Sequence, residues 1–162
     1  MRFMYTRPDG GVSIITAAPK EDLERVLGAL SDDEYVNHVL ARSVPDDASK
    51  LRTVGEEDIP DDQEFRDAWV DETEATSIDI SLAKAKEIAL ANLRTERNKK
   101  LDESDKLITR AVENGDDLAE IKAERQALRD ATEPLKQLEA VGVNDEAVLT
   151  EIKKLSKLGN GA

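Results

Sequence analysis

Residues 108–121 read ITRAVENGDDLAEI, and the four at the centre, Asn114-Gly115-Asp116-Asp117, decide the fold. Asparagine and glycine both tolerate the left-handed conformation that ends a helix. Two aspartates directly afterwards are acidic caps for a new one. A stop of two residues followed by a restart predicts a tight turn between two antiparallel helices. Upstream, Leu82, Ala85, Ala89, Leu93, Leu101, Ile108 and Val112 recur with a helical period, interrupted by Arg97 and by Ser104-Asp105. Downstream, Leu118, Ile121, Arg125, Leu128, Thr132 and Leu135 alternate spacings of three and four, an a/d seam of about two and a half heptads. Pro134 bends or restarts this second helix. The reading is a helical hairpin over residues 82–140. Asn144-Asp145 then caps a last helix carrying Val148, Leu149, Ile152, Leu155 and Leu158, before a frayed tail, Gly159-Asn160-Gly161-Ala162.

The other half of the chain has a different grammar. Residues 2–6 (RFMYT) and 12–16 (VSIIT) are β-branched or aromatic runs separated by Arg7-Pro8-Asp9-Gly10-Gly11, which reads as a hairpin turn. Pro19 and the pair Glu21-Asp22 open a helix to about Leu30, with Leu23, Val26, Leu27 and Leu30 on one face. Ser31 with Glu34 three residues later is a capping box for the next helix, which carries Tyr35, Val36, Val39 and Leu40 and stops before Pro45. Leu51–Val54 adds a third short strand to the hairpin. Asp61-Asp62-Gln63-Glu64 caps a helical turn bearing Phe65, Ala68 and Trp69. Residues 71–77 are polar linker, and Ile78-Asp79-Ile80 leads into the second half. The expected fold is α+β and mostly α: a small β-hairpin/helix domain over residues 1–75, then a long helical hairpin and a short C-terminal helix over residues 76–162.

Composition separates the same two regions and limits function. All five aromatics (Phe3, Tyr5, Tyr35, Phe65 and Trp69) precede residue 70. Residues 1–75 carry 8 Lys and Arg against 19 Asp and Glu, whereas residues 76–162 carry 15 against 17. A formal charge of −13 argues against a nucleic-acid partner, whose phosphates need cationic side chains. It argues equally against a basic membrane-surface binder, and no apolar run approaches the ~20 residues of a membrane span. The N-terminus lacks the apolar segment of a signal peptide. With no cysteine there is no disulfide or thiolate chemistry, which suits synthesis in a cytoplasm.

Catalytic and metal chemistry find little purchase. His38 is the sole histidine, with no nucleophile at helical spacing from it. Glu56-Glu57-Asp58 and Asp61-Asp62 lack the spacing of a calcium loop and read as a solvated acidic segment. Gly10-Gly11 has no phosphate-binding continuation. No enzyme, cofactor or metal is expected. Four residues stand out as partner contacts: Trp69, Arg97, Arg125 and Leu128. Arg97 and Arg125 interrupt apolar helix faces, either snorkelling to a nearby carboxylate such as Glu124 or Asp105, or forming an intersubunit ion pair that sets register. Trp69 is either an aromatic plug of the small core or a half-exposed anchor for a partner.

Several of these patches, in order, resemble a family. Asp58-Ile59-Pro60-Asp61 followed by Glu64-Phe65-Arg66-Asp67-Ala68-Trp69 is similar to a signature of small proteins encoded by tailed bacteriophages. There it precedes an Ile-Asp-aliphatic step into a helix, matched by Ile78-Asp79-Ile80 and Ala85-Lys86-Glu87-Ile88. Leu93–Leu101 and Gln126-Ala127-Leu128-Arg129-Asp130 resemble C-terminal helices of tail and tail-fibre assembly proteins, and Tyr5–Val12 resembles their opening. The resemblance implies a non-enzymatic phage structural protein, tail-associated and part of the virion, acting through protein–protein contacts. Its partners would be other phage structural proteins or copies of itself in a ring or fibre, with no nucleic acid and no membrane. It would reside in the host cytoplasm during assembly, then in the particle. The alternative is a transient tail or tail-fibre assembly chaperone that leaves before maturation. A nucleic-acid mimic is disfavoured by the near-neutral second half.

Overall fold

The computed structural model describes residues 1–72, 76–139 and 141–158. The fold is α+β and mostly α. Two compact units make up the chain, Met1–Ile80 and Ser81–Ala162. The boundary expected at residue 75 and the tail Gly159–Ala162 lie outside the described residues, as does Ala140 at the expected end of the hairpin.

In the first unit, β1 (Arg2–Thr6) and β2 (Val12–Thr16) form the expected antiparallel hairpin, with Phe3 opposite Ile15 and Tyr5 opposite Ser13. Gly10 takes a φ of 76° in the turn, and the Asp9 carboxylate accepts from the Gly11 N–H at 2.8 Å. β3 (Ser49–Thr53) joins the free side of β1, giving the order β2-β1-β3. Being central, β1 buries residues on both faces, Phe3 on one and Met4 on the other. The helix α1 (Lys20–Leu27) is shorter than the sequence suggests, because Gly28 adopts a φ of 88° and ends it. Its expected apolar face is not a core face: α1 buries no residue, and Val26 is 80% exposed. In α2 (Asp32–Ser43) the capping box forms as expected: the Ser31 Oγ accepts from Glu34 N–H, and the Glu34 carboxylate accepts from Ser31 N–H at 2.8 Å. The Ser31 backbone N–H and, at 2.8 Å, its hydroxyl both donate to the Glu34 carboxylate and hold it below its ordinary range. Tyr35 alone of this helix is fully buried, its hydroxyl donating to the Ala18 carbonyl.

A single 3₁₀ turn, Arg66–Ala68, follows the acidic loop. It leads into β4 (Trp69–Val70), which pairs with β5 (Asp79–Ile80). The sequence reading treats residues 78–80 only as an entry to the next helix. Instead Ile78 and Ile80 are buried, and the Ile78 N–H donates to the Asp58 carbonyl at 2.8 Å. Two residues of strand carry no periodicity of their own; the aromatic core against which they pack selects the conformation.

The second unit is built on α3 (Leu82–Asn114). Ser81 caps its start, and Gly115 ends it with a φ of 76°. After the turn come α4 (Ala119–Asp130), α5 (Glu133–Gln137, with Pro134 in its first turn) and α6 (Glu146–Leu158). Asp117 and Asp145 accept N–H bonds at the starts of α4 and α6. The helices α4, α5 and α6 all pack on α3. Leu82, Ala85, Ala89 and Leu93 are buried as expected, but the contact line then runs through Ser104 and Ala111 rather than Val112, which is 60% exposed. Around α5, Thr132, Leu135 and then Ile152 of α6 are fully buried, and Lys86 Nζ donates to the Leu138 carbonyl at 3.0 Å.

Candidate functional site

The four residues singled out from the sequence fall in different places. Arg125 is half-buried on α4, and its Nη1 donates to Ser104 Oγ on α3 at 2.9 Å. The same guanidinium pairs with the Asp105 carboxylate. Arg125 thus reaches a carboxylate named from the sequence, Asp105, within one chain and between the two arms of the hairpin. Leu128 lies one turn further along α4, half-buried; the antiparallel register set by Arg125 and Ser104 brings it to the level of Leu101. Arg97 is half-buried on α3, and its Nε and Nη2 donate to Asn98 Oδ1 at 3.3 and 3.0 Å. Arg97 carries no ion pair among the described residues, and its guanidinium remains partly open to solvent.

Of the two readings of Trp69, the core plug holds and the partner contact is corrected. It is 2% exposed and belongs to the core of the first unit with Phe65 and Ala68, so a half-exposed anchor is excluded. Its indole Nε1 is buried and has no hydrogen-bond partner among the described residues. The Arg66 guanidinium stands over its ring, 5.8 Å from the centroid, in a cation–π arrangement.

The acidic loop is organised by its own backbone. Asp58 Oδ2 accepts from the Gly55 N–H at 2.8 Å and Asp62 Oδ1 from the Glu64 N–H at 3.0 Å, so both aspartates cap turns. Among the described residues no three metal-ligating side chains cluster. His38 lines a shallow groove beside Tyr35 and Val39. On β3, Arg52 donates to the buried Asp71 carboxylate at 3.0 Å and to the Thr76 carbonyl at 2.7 Å. Burial, reinforced by the charges of Glu72 and Asp71, pushes the Asp79 carboxyl above its ordinary range.

The sequence reading missed Ser104 as the acceptor for Arg125. Its signal was present: a polar pair interrupting the stripe on α3, opposite a cation interrupting the stripe on α4. It also missed the outer edge of β2, since strand order is not written in a hairpin pattern. No known protein family, characterised protein or solved structure matches the chain.

Proposed function

We propose that this chain is a non-enzymatic structural protein of a tailed bacteriophage, tail-associated and retained in the virion, working through contacts with other phage structural proteins. The resemblance of its ordered sequence patches to phage tail proteins supplies the setting. The observation that supports an assembly role is the surface of α3. Three helices pack along it, yet Leu107 and Val112 remain 48% and 60% exposed in its second half. Arg97 and Leu128, both partly accessible, lie on the same two arms. Exposed apolar side chains on a charged helix suit a subunit contact, with copies of this chain in a ring or fibre or with a neighbouring tail protein.

Mass spectrometry of purified particles tests the reading. A structural component is recovered at a fixed ratio to the other tail proteins. Its absence from mature particles, with presence in assembling lysates, would replace this reading by the transient chaperone.

A further inference from the structure

The two outer edges of the three-stranded sheet are built differently. At the β3 edge Lys50 takes a φ of 49°, and the register with β1 shifts between Met4 and Thr6. Lys50 and Arg52 add charge to the strand. A broken, cationic edge resists a further strand. By contrast, β2 is five residues in unbroken register with β1, none of them charged.

Alternation fixes where the β2 backbone points. The Arg7 N–H donates to the Gly11 carbonyl at 2.8 Å, and the Ala17 N–H to the Met1 carbonyl at 3.0 Å. These bonds place the odd-numbered residues of β2 in the pairs that bond to β1. Ile14 and Thr16 therefore aim their N–H and C=O groups at the open edge, where neither meets a partner among the described residues.

A groove flanks this edge on each face. On the Ile14 face, about 320 Å³ is bounded by Asp61, Arg66 and the exposed Arg2–Glu56 ion pair (3.7 Å) above Trp69. On the Ile15 face, about 250 Å³ is bounded by Leu23, Tyr35 and Val39, together with His38 and Arg42. An added strand sends alternate side chains to opposite faces, one set into each groove. We infer that the β2 edge takes up an extended segment of a partner protein as a fourth strand, its apolar residues alternating with basic ones. The apolar set lies against Leu23, Tyr35 and Val39, and the basic set beside Asp61 and Glu56, the latter shared with Arg2 through an exposed contact of 3.7 Å. Charge selects this occupant over a second copy. Residues 1–80 hold 8 Lys and Arg against 20 Asp and Glu, so joining two such edges brings strongly like-charged surfaces together. The inference deepens the assembly reading, resting on it for the partner being a protein.

The full chain is mixed with a peptide of about eight residues alternating valine and lysine, long enough for one strand. A valine–glutamate peptide, and a valine–lysine peptide interrupted by proline, serve as comparisons. Amide exchange at Ile14 and Thr16 should slow by about tenfold or more at saturating valine–lysine peptide, and not with the other two. Ile14→Pro removes an outward N–H that bonds to nothing, so the sheet should persist while affinity falls about tenfold. Thr16→Lys, which places a like charge beside the peptide without touching the ladder, should weaken binding in the same direction. Unchanged exchange at Ile14 and Thr16, or equal binding of the valine–glutamate peptide, overturns the inference. So does protection that grows with protein concentration alone, which would make the occupant a second copy. A chain present in particles whose β2 edge stays silent loses this inference only; a chain absent from particles that still binds the peptide loses only the virion reading.

Discussion

Arg125 Nη1 and Ser104 Oγ lie 2.9 Å apart, joining α4 to α3, and the Ser104 hydroxyl donates onward to the Leu101 carbonyl at 2.8 Å. The serine is 7% exposed, so its acceptor lone pair has no ready access to water once the guanidinium is gone. Arg125→Ala removes both the bond and the packed stem, and should destabilise the chain by about 2 kcal/mol or more. Arg125→Met keeps the stem and should lose less. Asp105 is 63% exposed on its side chain, so Asp105→Asn should change stability by only ~0–1 kcal/mol. Urea unfolding of the three variants gives the ranking, and an Asp105→Asn loss as large as that of Arg125→Ala would shift the weight from the serine to the ion pair.

Gly115 ends α3 at a φ of 76° with open space where a side chain would project. Any loss on substitution is therefore backbone strain. Gly115→Val should cost more than about 1 kcal/mol, and Gly115→Asn distinctly less, because asparagine visits this region. Equal melting temperatures for the two variants would contradict that origin.

Trp69→Ala should cost about 3–5 kcal/mol, as for other buried aromatic truncations. Trp69→Phe should be milder than its lost volume suggests, since it also removes an indole N–H that finds no acceptor among the described residues. The emission of the folded protein should be blue-shifted and poorly quenched by iodide; a red-shifted, freely quenched spectrum would contradict the burial.

For Asp79, a folded-state pKa above the unfolded one means that the folded chain holds its proton longer. Its contribution to stability is greatest below the unfolded pKa and declines as pH rises through the window up to the raised value. Asp79→Asn should then match the parent in acid and melt higher at neutral pH. A variant that melts lower at neutral pH would make the carboxylate a stabilising group.

What the sequence made legible was local. The Asp9-Gly10 turn, the Ser31–Glu34 box, the Gly115 stop and the Asp145 cap each depend on a few adjacent residues, and each forms. Strand β5 was not legible, because Ile80 is strand only by virtue of Trp69 opposite it. The burial of Ser104 and Ala111 in place of Val112 depends on how closely α4 approaches, which periodicity along α3 does not encode. Trp69 left two readings open because burial is set by neighbours distant in sequence. The β2 edge needed the strand order: a third strand added beside β2 instead of β1 would have closed it.

Every aromatic residue lies in the unit Met1–Ile80, and Ser81–Ala162 has none, while α3, α4 and α6 supply most of the helix. Tryptophan emission and near-ultraviolet dichroism therefore report on one unit alone, and far-ultraviolet dichroism chiefly on the other. No label has to be introduced to follow them separately. Coincident melting curves by the two signals would mean that the units unfold as one cooperative body, and a gap between the curves would measure how far each stands on its own.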